Sequence, residues 1–416
     1  MTPPIQAPRR SEATPSAASA STSFEQAAGG ALTALRDAVK AAIASVGGTG
    51  LNSLALSRKL EIDKSLSWRI VRFAEDADSF AGSHHLPGDA GMRIFVRAVT
   101  ARSGIAAGTA LAAAIDALDR VVREHAGSRT AFRALVANCG NQAADHRAAE
   151  FRKTAFQANS AIWGIAAHAR VVLAFLTPGV DDGTDVTLVG GFLGLRRNRR
   201  ELSWPIARRR VLGQQGRTRE SIAVPLDPAL PIDAPPILAD YSSIAADRLL
   251  PISTEHGYWY ELPEGDIGSA GAVDCVFGER IRGAGPVRRP GTVQPAEVLV
   301  RLDMPVEHLL VDVFVDRSLQ LDAPPSAALY GLLGGGSGEN AVDRDRQRMA
   351  LAERPEEIGN EPRHWSTPVF PRHWELVHDC MRWLDRRPSS FRAFRLQVRW
   401  PAIPTALTVT APLGRD

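Results

Sequence analysis

The sequence predicts a multidomain α+β protein: an all-α N-terminal domain, a long connector helix and a mostly antiparallel α+β C-terminal domain. Its 416 residues are enough for two or three domains with separate cores. Apolar residues recur at helical spacing up to Leu176, whereas beyond Pro178 proline and glycine become frequent and period-two patterns dominate. These observations predict four regions: a disordered tail 1–27, a helical domain 28–140, a connector helix 141–178 and an α+β domain 179–416.

The composition is that of an ordinary soluble protein, with 44% hydrophobic and 23% charged residues. A net charge of +3 is only mildly basic, so any surface for nucleic acid must be local. The three cysteines, Cys139, Cys275 and Cys380, are far apart and form no C-x-x-C pair. This argues against a disulfide framework or a structural zinc site and favours a reducing compartment.

The chain shows no pattern of a secretory signal or a membrane span. Its most apolar helix candidate, Ala161–Leu176, contains His168 and Arg170 and is too short to cross a bilayer. We therefore expect a cytoplasmic protein with no membrane partner.

The first region, residues 1–27, is rich in Pro, Ala, Ser and Thr and has almost no large apolar residues. Such a segment buries too little surface to offset the entropy of ordering, so we expect disorder. From Ala31 a helix is predicted that ends at Gly47–Gly48. Its apolar stripe consists of Leu32, Leu35, Val39, Ile43 and Val46.

Two short helices are predicted between Leu51 and Glu75. Asn52 is a suitable N-cap for the first helix and Asp63 for the second, with only Glu61 and Ile62 between them. A connection this short makes the two helices cross steeply, as in a helix-turn-helix. The second helix carries Leu66, Ile70 and Phe73 as its apolar stripe. The opposite face carries Ser65, Trp68, Arg69 and Arg72, and Lys64 lies in the first turn; these residue types suit contacts with a groove or with phosphates.

The segment Leu60–Arg72 resembles bacterial helix-turn-helix transcriptional regulators such as the MarR and IclR families. The matching residues are Ile62-Asp63-Lys64-Ser65, then Leu66-Ser67, then Trp68-Arg69-Ile70-Val71. The resemblance extends over about residues 51–75 only. It implies that Lys64, Ser65, Trp68, Arg69 and Arg72 face DNA, with Arg69 the best candidate for a base or phosphate contact. Glu61 stands where those families usually have glycine, so its backbone is expected to be left-handed.

The rest of the first half is predicted to be helical. After a loop rich in glycine and proline that lacks the alternation of a β-hairpin wing, helices are expected from Met92, over Ile105–Ala126, and around Thr130–Val136. A long helix then extends from about Ala143 to Leu176 and ends at Pro178. It serves either as a connector or dimer seam, or as a buried core helix.

The second half is predicted to be α+β because apolar residues alternate along several short runs. These runs are Val186–Leu188, Leu309–Val315 and Phe394–Trp400. The last run turns through residues 401–404 into Leu407–Ala411, which predicts a terminal hairpin. One helix, about Arg372–Leu384, interrupts the strands.

A second basic cluster lies near the start of this half and surrounds Trp204. It consists of Arg196, Arg197, Arg199, Arg200, Arg208, Arg209 and Arg210. Arginines around an aromatic residue can hold phosphates or stack on a base. The alternative is a solvated loop with an edge strand protected by its charge.

Signals for catalysis are weak throughout the sequence. His373 and His378 are five residues apart, whereas a helical zinc pair needs a spacing of four to face one metal. No nucleophile, base and orienting acid occur at recognisable spacing. We therefore predict no enzymatic activity, no metal and no cofactor.

These patterns favour a DNA-binding transcriptional regulator with a C-terminal domain that senses a ligand or binds a partner. DNA is then the expected partner, together with a small-molecule effector, and a homodimer is expected by analogy because two-fold proteins read paired half-sites. The alternative, of a different class, is a non-enzymatic interaction or scaffold protein in which the helix-turn-helix is structural.

Overall fold

The computed structural model describes residues 23–47, 52–76, 78–137, 139, 143–210, 222–232, 234–254, 257–286, 293–333, 344–359 and 361–414. The chain divides into two compact units, Met1–Ala148 and Ala149–Asp416. The structure is α+β, and its sheets are mostly antiparallel, which confirms the predicted class. None of the helices in the described ranges combines the length and apolar character needed to cross a membrane.

The described residues of unit 1 form helices and short helical turns. The helices are α1 (Phe24–Gly47), α2 (Ser53–Leu60), α3 (Lys64–Glu75), α4 (Ser79–Gly82), α5 (Asp89–Ser103), α6 (Ile105–His125) and α7 (Arg129–Ala137). A helix α8 (Ala143–Trp163) extends from this unit into the next.

One hydrophobic core holds unit 1 together. The central helix α1 packs mainly on α6 and also contacts α3 and α5. The predicted stripe of α1 is buried at Leu32, Leu35 and Val39, as is Phe73 of α3. Since each helix buries one stripe against the others, the packing also fixes which face of each helix is left exposed.

Two segments of unit 1, the start of α1 and the segment after α3, differ from expectation. The predicted disordered tail 1–27 is wrong at its end, because α1 begins at Phe24 and the Phe24 ring lies 5.9 Å from that of Phe132. Residues 1–22 lie outside the described residues. The segment after α3, predicted as a loop, contains the short helix α4 and a 3-10 turn, Ser83–His85.

The predicted connector helix 141–178 is wrong in its second half. Helix α8 ends at Trp163, Gly164 takes φ 72°, and strand β1 (Ile165–Pro178) follows. Alternate side chains of β1 enter two different cores, with Leu173 in one and Ala174 in the other. A strand buried on both faces reads as a continuous apolar run, which periodicity does not separate from a helix.

All strands among the described residues lie in unit 2. After β1 they are β2 (Thr184–Arg197), β3 (Trp204–Arg210), β4 (Ile222–Pro225), β5 (Leu250–Thr254), β6 (Gly257–Leu262), β7 (Val273–Arg282), β8 (Gln294–Leu302), β9 (Val306–Asp316), β10 (Ser326–Gly331), β11 (Arg348–Met349), β12 (Glu356–Glu357), β13 (Phe391–Arg399) and β14 (Thr405–Leu413). Helices α9 (Pro362–Trp365) and α10 (His373–Trp383) lie between β12 and β13, and α10 confirms the predicted helix.

The strands of the described residues form three sheets. The largest has the order β12-β13-β9-β1-β2-β7-β4, and within it only the β1–β9 pair is parallel. The other two have the orders β11-β10-β14-β8 and β3-β6-β5. One face of the large sheet packs on α10, and its other face packs on the four-stranded sheet. Helix, sheet and sheet are thus three layers around β1.

The predicted terminal hairpin is wrong. Strand β13 pairs with β9 in the large sheet, whereas β14 pairs with β8 and β10 in the four-stranded sheet. Trp400, at the start of the five-residue connection, has φ 47° and lies before two prolines. The connection therefore carries the chain from one layer to the other instead of folding it back on β13.

Candidate nucleic-acid interface

The turn between α2 and α3 sets the position of the candidate interface. Asn52 and Asp63 are the N-caps of the two helices, as predicted: Asn52 Oδ1 accepts from Ala55 N at 2.9 Å, and Asp63 Oδ1 accepts from Ser65 N at 2.8 Å. Glu61 takes the expected left-handed conformation, with φ 54° and ψ 39°. These hydrogen bonds satisfy backbone groups that would otherwise be unpaired at the helix ends.

The buried side of α3 fixes its rotation. Ile70 and Phe73 are each 1% exposed, and Ser67 is buried with its Oγ donating to the Ser53 carbonyl at 2.6 Å. The serine thus ties α3 to the start of α2 through a hydrogen bond instead of an apolar contact. Leu66, predicted as part of the apolar stripe, is only half-buried.

The opposite side of α3 is exposed at four of the five predicted residues, Lys64, Ser65, Trp68 and Arg72. We call these four residues the α3 face. Trp68 is 46% exposed, and its ring meets that of His85 edge-on at 5.2 Å. The Arg72 guanidinium lies 6.0 Å from the Trp68 ring centroid and 3.8 Å from Glu75 Oε2. An exposed pair this loose holds Arg72 weakly.

Arg69, the residue favoured for a base contact, has a different environment. It is half-buried, and its Nη2 donates to the Leu86 carbonyl at 2.8 Å while its Nε donates to the His85 carbonyl at 3.4 Å. These bonds attach the loop after α3 to the helix. Arg69 therefore supports the loop on which His85 rests and does not lie on the α3 face.

His85 belongs to the surroundings of the α3 face, because its ring contacts that of Trp68. Burial and the charge of His84 lower the pKa of His85 below its ordinary value, and the nearby Arg72 and Arg69 act in the same direction. Burial thus favours the neutral form of the imidazole that packs on Trp68.

The local charge around the α3 face is close to balance. Residues 52–76 contain five basic and four acidic side chains. The hydrogen bonds from Ser65 hold the pKa of the exposed Asp63 below its ordinary value, so a carboxylate stands at the N-terminus of α3. A phosphate would therefore contact Lys64 or Arg72 more readily than the backbone N–H groups at that end.

The second basic cluster is placed differently. Arg196 Nη2 donates to Glu307 Oε1 at 2.7 Å, and Arg197 is buried and donates to the carbonyls of Leu202 and Pro263. Arg199 donates to the Ile162 carbonyl at 3.0 Å, which leaves Arg200, 77% exposed, as the freest of the four. The side chains of Arg208, Arg209 and Arg210 lie outside the described residues.

Part of this cluster borders a surface cavity of about 360 Å³. Its lining residues are Arg199, Arg200, Glu201 and Leu202. Two of the four lining residues are arginines, and guanidinium groups suit carboxylate or phosphate ligands.

His373 and His378 point in different directions, as their spacing predicts. His373 is fully buried, with Nε2 3.1 Å from Asp312 Oδ2, whereas His378 is 55% exposed. The pair therefore forms no shared metal site.

A different group of three side chains, His168, Glu307 and His308, comes together where β1 runs parallel to β9. Their candidate ligand atoms all lie within 4.8 Å of one another. Burial raises the pKa of Glu307, but hydrogen bonds and charge from Arg196 and His168 outweigh it, so the pKa lies below its ordinary value. Burial, His168 and Arg399 lower the pKa of His308. Sequence spacing did not reveal this group, because 139 residues separate His168 from Glu307.

Comparisons with known proteins give little. No protein-family model and no curated protein matches the chain. A solved structure from Parabacteroides distasonis ATCC 8503, titled as a "putative protease", aligns with 59% of this chain at 8% identity and a TM-score of 0.27. This chain covers 40% of that chain's length. A likeness at this level carries no argument about fold or activity.

Proposed function

We propose that the protein binds DNA through the α3 face and acts as a transcriptional regulator with a helix-turn-helix formed by α2 and α3. The observation that carries the proposal is the exposure of Lys64, Ser65, Trp68 and Arg72 along one side of α3, while Ile70 and Phe73 hold the other side in the core. A helix braced in this way is suited to enter a major groove.

Within this proposal the residues have different roles. Lys64 and Arg72 provide charge for phosphates or guanine edges, whereas the Ser65 hydroxyl, which donates to Asp63 Oδ1, can accept from a donor on a base edge. Trp68 lies between them and offers an apolar edge to a base or sugar. Arg69 acts indirectly, since it holds the loop that carries His85.

The remainder of the chain has a supporting role in this proposal. Unit 2 senses a ligand or binds a partner, and a small anionic effector would fit the arginine-lined cavity at Arg199 and Arg200. A homodimer would place two α3 faces on paired half-sites one helical turn apart.

The proposal is tested by fluorescence anisotropy of the full chain against a pool of genomic DNA fragments at two salt concentrations. We expect Arg72→Ala to weaken binding by about 1–3 kcal/mol, roughly 5- to 150-fold, and to reduce the salt slope by about 1 if Arg72 contacts a phosphate. Arg123→Ala, which removes an exposed arginine of α6, is the matched control. Absence of wild-type binding at low salt, or equal losses in both variants, would contradict the proposal.

Comparing Arg69→Ala with Arg72→Ala distinguishes a residue that supports the fold from one that contacts DNA. Because Arg69 donates to two backbone carbonyls, its removal should destabilise unit 1 by about 1.5–3 kcal/mol, whereas Arg72→Ala should stay within about 0.5 kcal/mol. Chemical denaturation of both variants measures this. Equal stability of the two would show that Arg69 has no supporting role.

A scaffold function is the second candidate, and a specific observation favours it. The residue expected to read DNA, Arg69, is used internally, while an indole that is 46% exposed remains at the surface. Tryptophan is frequent at the centres of protein interfaces. Under this alternative DNA titrations stay flat, and a protein partner co-purifies with the wild type but not with Trp68→Ala.

A further inference from the structure

We propose that His168, Glu307 and His308 bind one Zn²⁺ ion at the start of the parallel β1–β9 pair, a site separate from the α3 face. The inference concerns unit 2 alone and does not depend on DNA binding. It rests on the chemistry of the donors, on their spacing and on the strand geometry that brings them together.

The donors are those that zinc prefers. Two imidazoles and one carboxylate form the three-ligand set of catalytic zinc sites, in which the fourth position is open to water or another exchangeable ligand. Magnesium and calcium prefer oxygen ligands, so two histidines argue against them. The class of ion that fits is a divalent metal of borderline softness, with zinc the best match.

The spacing is close to that of a bound site. His168 Nδ1 lies 3.4 Å from Glu307 Oε2, and zinc bonds of about 2.0–2.1 Å at tetrahedral angles place neighbouring ligand atoms roughly 3.3 Å apart. The distance between these two atoms is therefore compatible with one shared ion. The His308 ring centroid lies 5.2 Å from that of His168, and the candidate ligand atoms of all three residues lie within 4.8 Å of one another.

The strand register explains why two of the three side chains meet. In the parallel register Ala167 pairs with Val306 and Ala169 with His308, which sets His168 beside Glu307. All three ligands are partly exposed, so an ion can reach them from solvent. Both strands continue from the site into the cores on either side of the large sheet.

A bulge in β2 leaves room beside His168. The β2–β7 register shifts between Phe192 and Leu195, and Gly194 takes φ 55° with its N–H donating to Asp274 Oδ1 at 2.7 Å. A Cβ added at Gly194 would lie 3.1 Å from the His168 Cβ. Bulges of this kind often redirect side chains next to functional sites.

Arg196 is the main feature that opposes zinc binding, because its guanidinium contacts the carboxylate of Glu307. It donates to Glu307 Oε1 at 2.7 Å, so Oε2, the oxygen nearer His168, is left for the ion. Arg399, which pairs with His308 across β13 and β9, adds a second positive charge nearby. Both charges reduce affinity, and Arg196 also orients the carboxylate as outer-shell partners of metal ligands do.

The test is a zinc titration of the full chain, purified with chelator, in competition with a chromophoric zinc indicator. We expect one zinc equivalent to be lost in His168→Ala and in His308→Ala. The zinc affinity of each variant should fall by more than the roughly 10- to 100-fold decrease in affinity caused by removing an outer-shell partner. Two variants are the matched controls. His378→Ala removes an exposed histidine of the same unit, and His85→Ala removes a histidine of unit 1 whose ring centroid lies 3.6 Å from that of His84.

A second readout guards against variants that fail to fold. Because zinc binds the folded state, it should raise the Tm of the wild type and of His378→Ala but leave that of His308→Ala unchanged. The Tm of all three proteins without zinc should be similar, since His308 is only partly buried. Retained zinc affinity in both ligand variants, or no zinc binding by the wild type, would overturn the proposal.

Discussion

Arg72 of α3 and Arg197 of β2 show two opposite fates of an arginine in this chain. Arg72 is 56% exposed and has one loose ion pair, with Glu75 at 3.8 Å. Arg197 is buried, and its guanidinium donates to two backbone carbonyls. The sequence around Arg197 is far more basic, yet it is Arg72 that remains available to a partner. A buried charge must be hydrogen-bonded, so the density of arginines is a poor guide to a binding surface.

The same contrast extends to the centre of unit 2. Asp312 is fully buried and accepts from Arg395 Nε at 2.8 Å and from Nη2 at 2.7 Å, while His373 lies 3.1 Å away. This buried network joins β9, β13 and α10. The charged groups of unit 2 thus include a structural set, whereas the α3 face has none of comparable burial among its four residues.

The largest effect that tests this contrast is expected for Asp312→Ala. Removing the carboxylate leaves the Arg395 guanidinium without its main partner in the core, so we expect the free energy of unfolding to fall by about 3–5 kcal/mol. Urea denaturation of the full chain measures the change. Arg392→Ala, which breaks a partly exposed bidentate pair with Glu357, should cost no more than about 1 kcal/mol. Similar losses in the two variants would remove the distinction.

The sequence predicted those parts of the fold that depend on local chemistry. The caps Asn52 and Asp63, the left-handed Glu61 and the end of α1 at Gly47 all follow from residue type and spacing. They were predictable because caps and turns are decided within a few residues.

Parts that depend on distant contacts were not predictable from the same patterns. The run after Gly164 is a strand because β2 and β9 flank it and cores cover both its faces, and only Gly164 and the Val171-Val172 pair signalled a change. The meeting of His168 with Glu307 requires the register of β1 and β9. The role of Arg69 required the position of the His85 loop, which no helical spacing contains.

Arg197→Ala tests the contrast between buried and exposed arginines, with an intermediate expected change in the free energy of unfolding. Its loss leaves the carbonyls of Leu202 and Pro263 without their donor, so we expect a destabilisation of about 1.5–3 kcal/mol. Arg200→Ala, only three residues away and 77% exposed, should stay within about 0.5 kcal/mol. The difference between the two Cm values in urea checks this. If Arg200→Ala were the more damaging, the assignment of buried and free arginines would be reversed.

A smaller effect is expected when stability is measured against pH at the acid end, and it comes from the network of Asp312, Arg395 and His373. Burial raises the pKa of Asp312, but Arg395 and His373 outweigh it, and the pKa lies below its ordinary value. A carboxyl with a depressed folded-state pKa stabilises the protein above its unfolded pKa of about 3.9, and this stability is lost as pH falls through the folded pKa. We expect the wild type to lose stability more steeply below about pH 4 than Asp312→Asn. Parallel curves would assign the acid sensitivity to other carboxylates.

Glu61→Gly gives the smallest effect and tests how the α3 face is presented. Because Glu61 has φ 54°, glycine removes a left-handed strain of about 1 kcal/mol while adding unfolded-state entropy, and we expect a net stabilisation of about 0.5 kcal/mol. Arg97→Gly, at an exposed position inside α5, should instead cost about 1 kcal/mol. Thermal unfolding compares the two. A loss of stability in Glu61→Gly would mean that the Glu61 side chain contributes more to the turn than its backbone strain costs. The exposed α3 face would then depend on an acidic residue in the position where the resembling families place glycine.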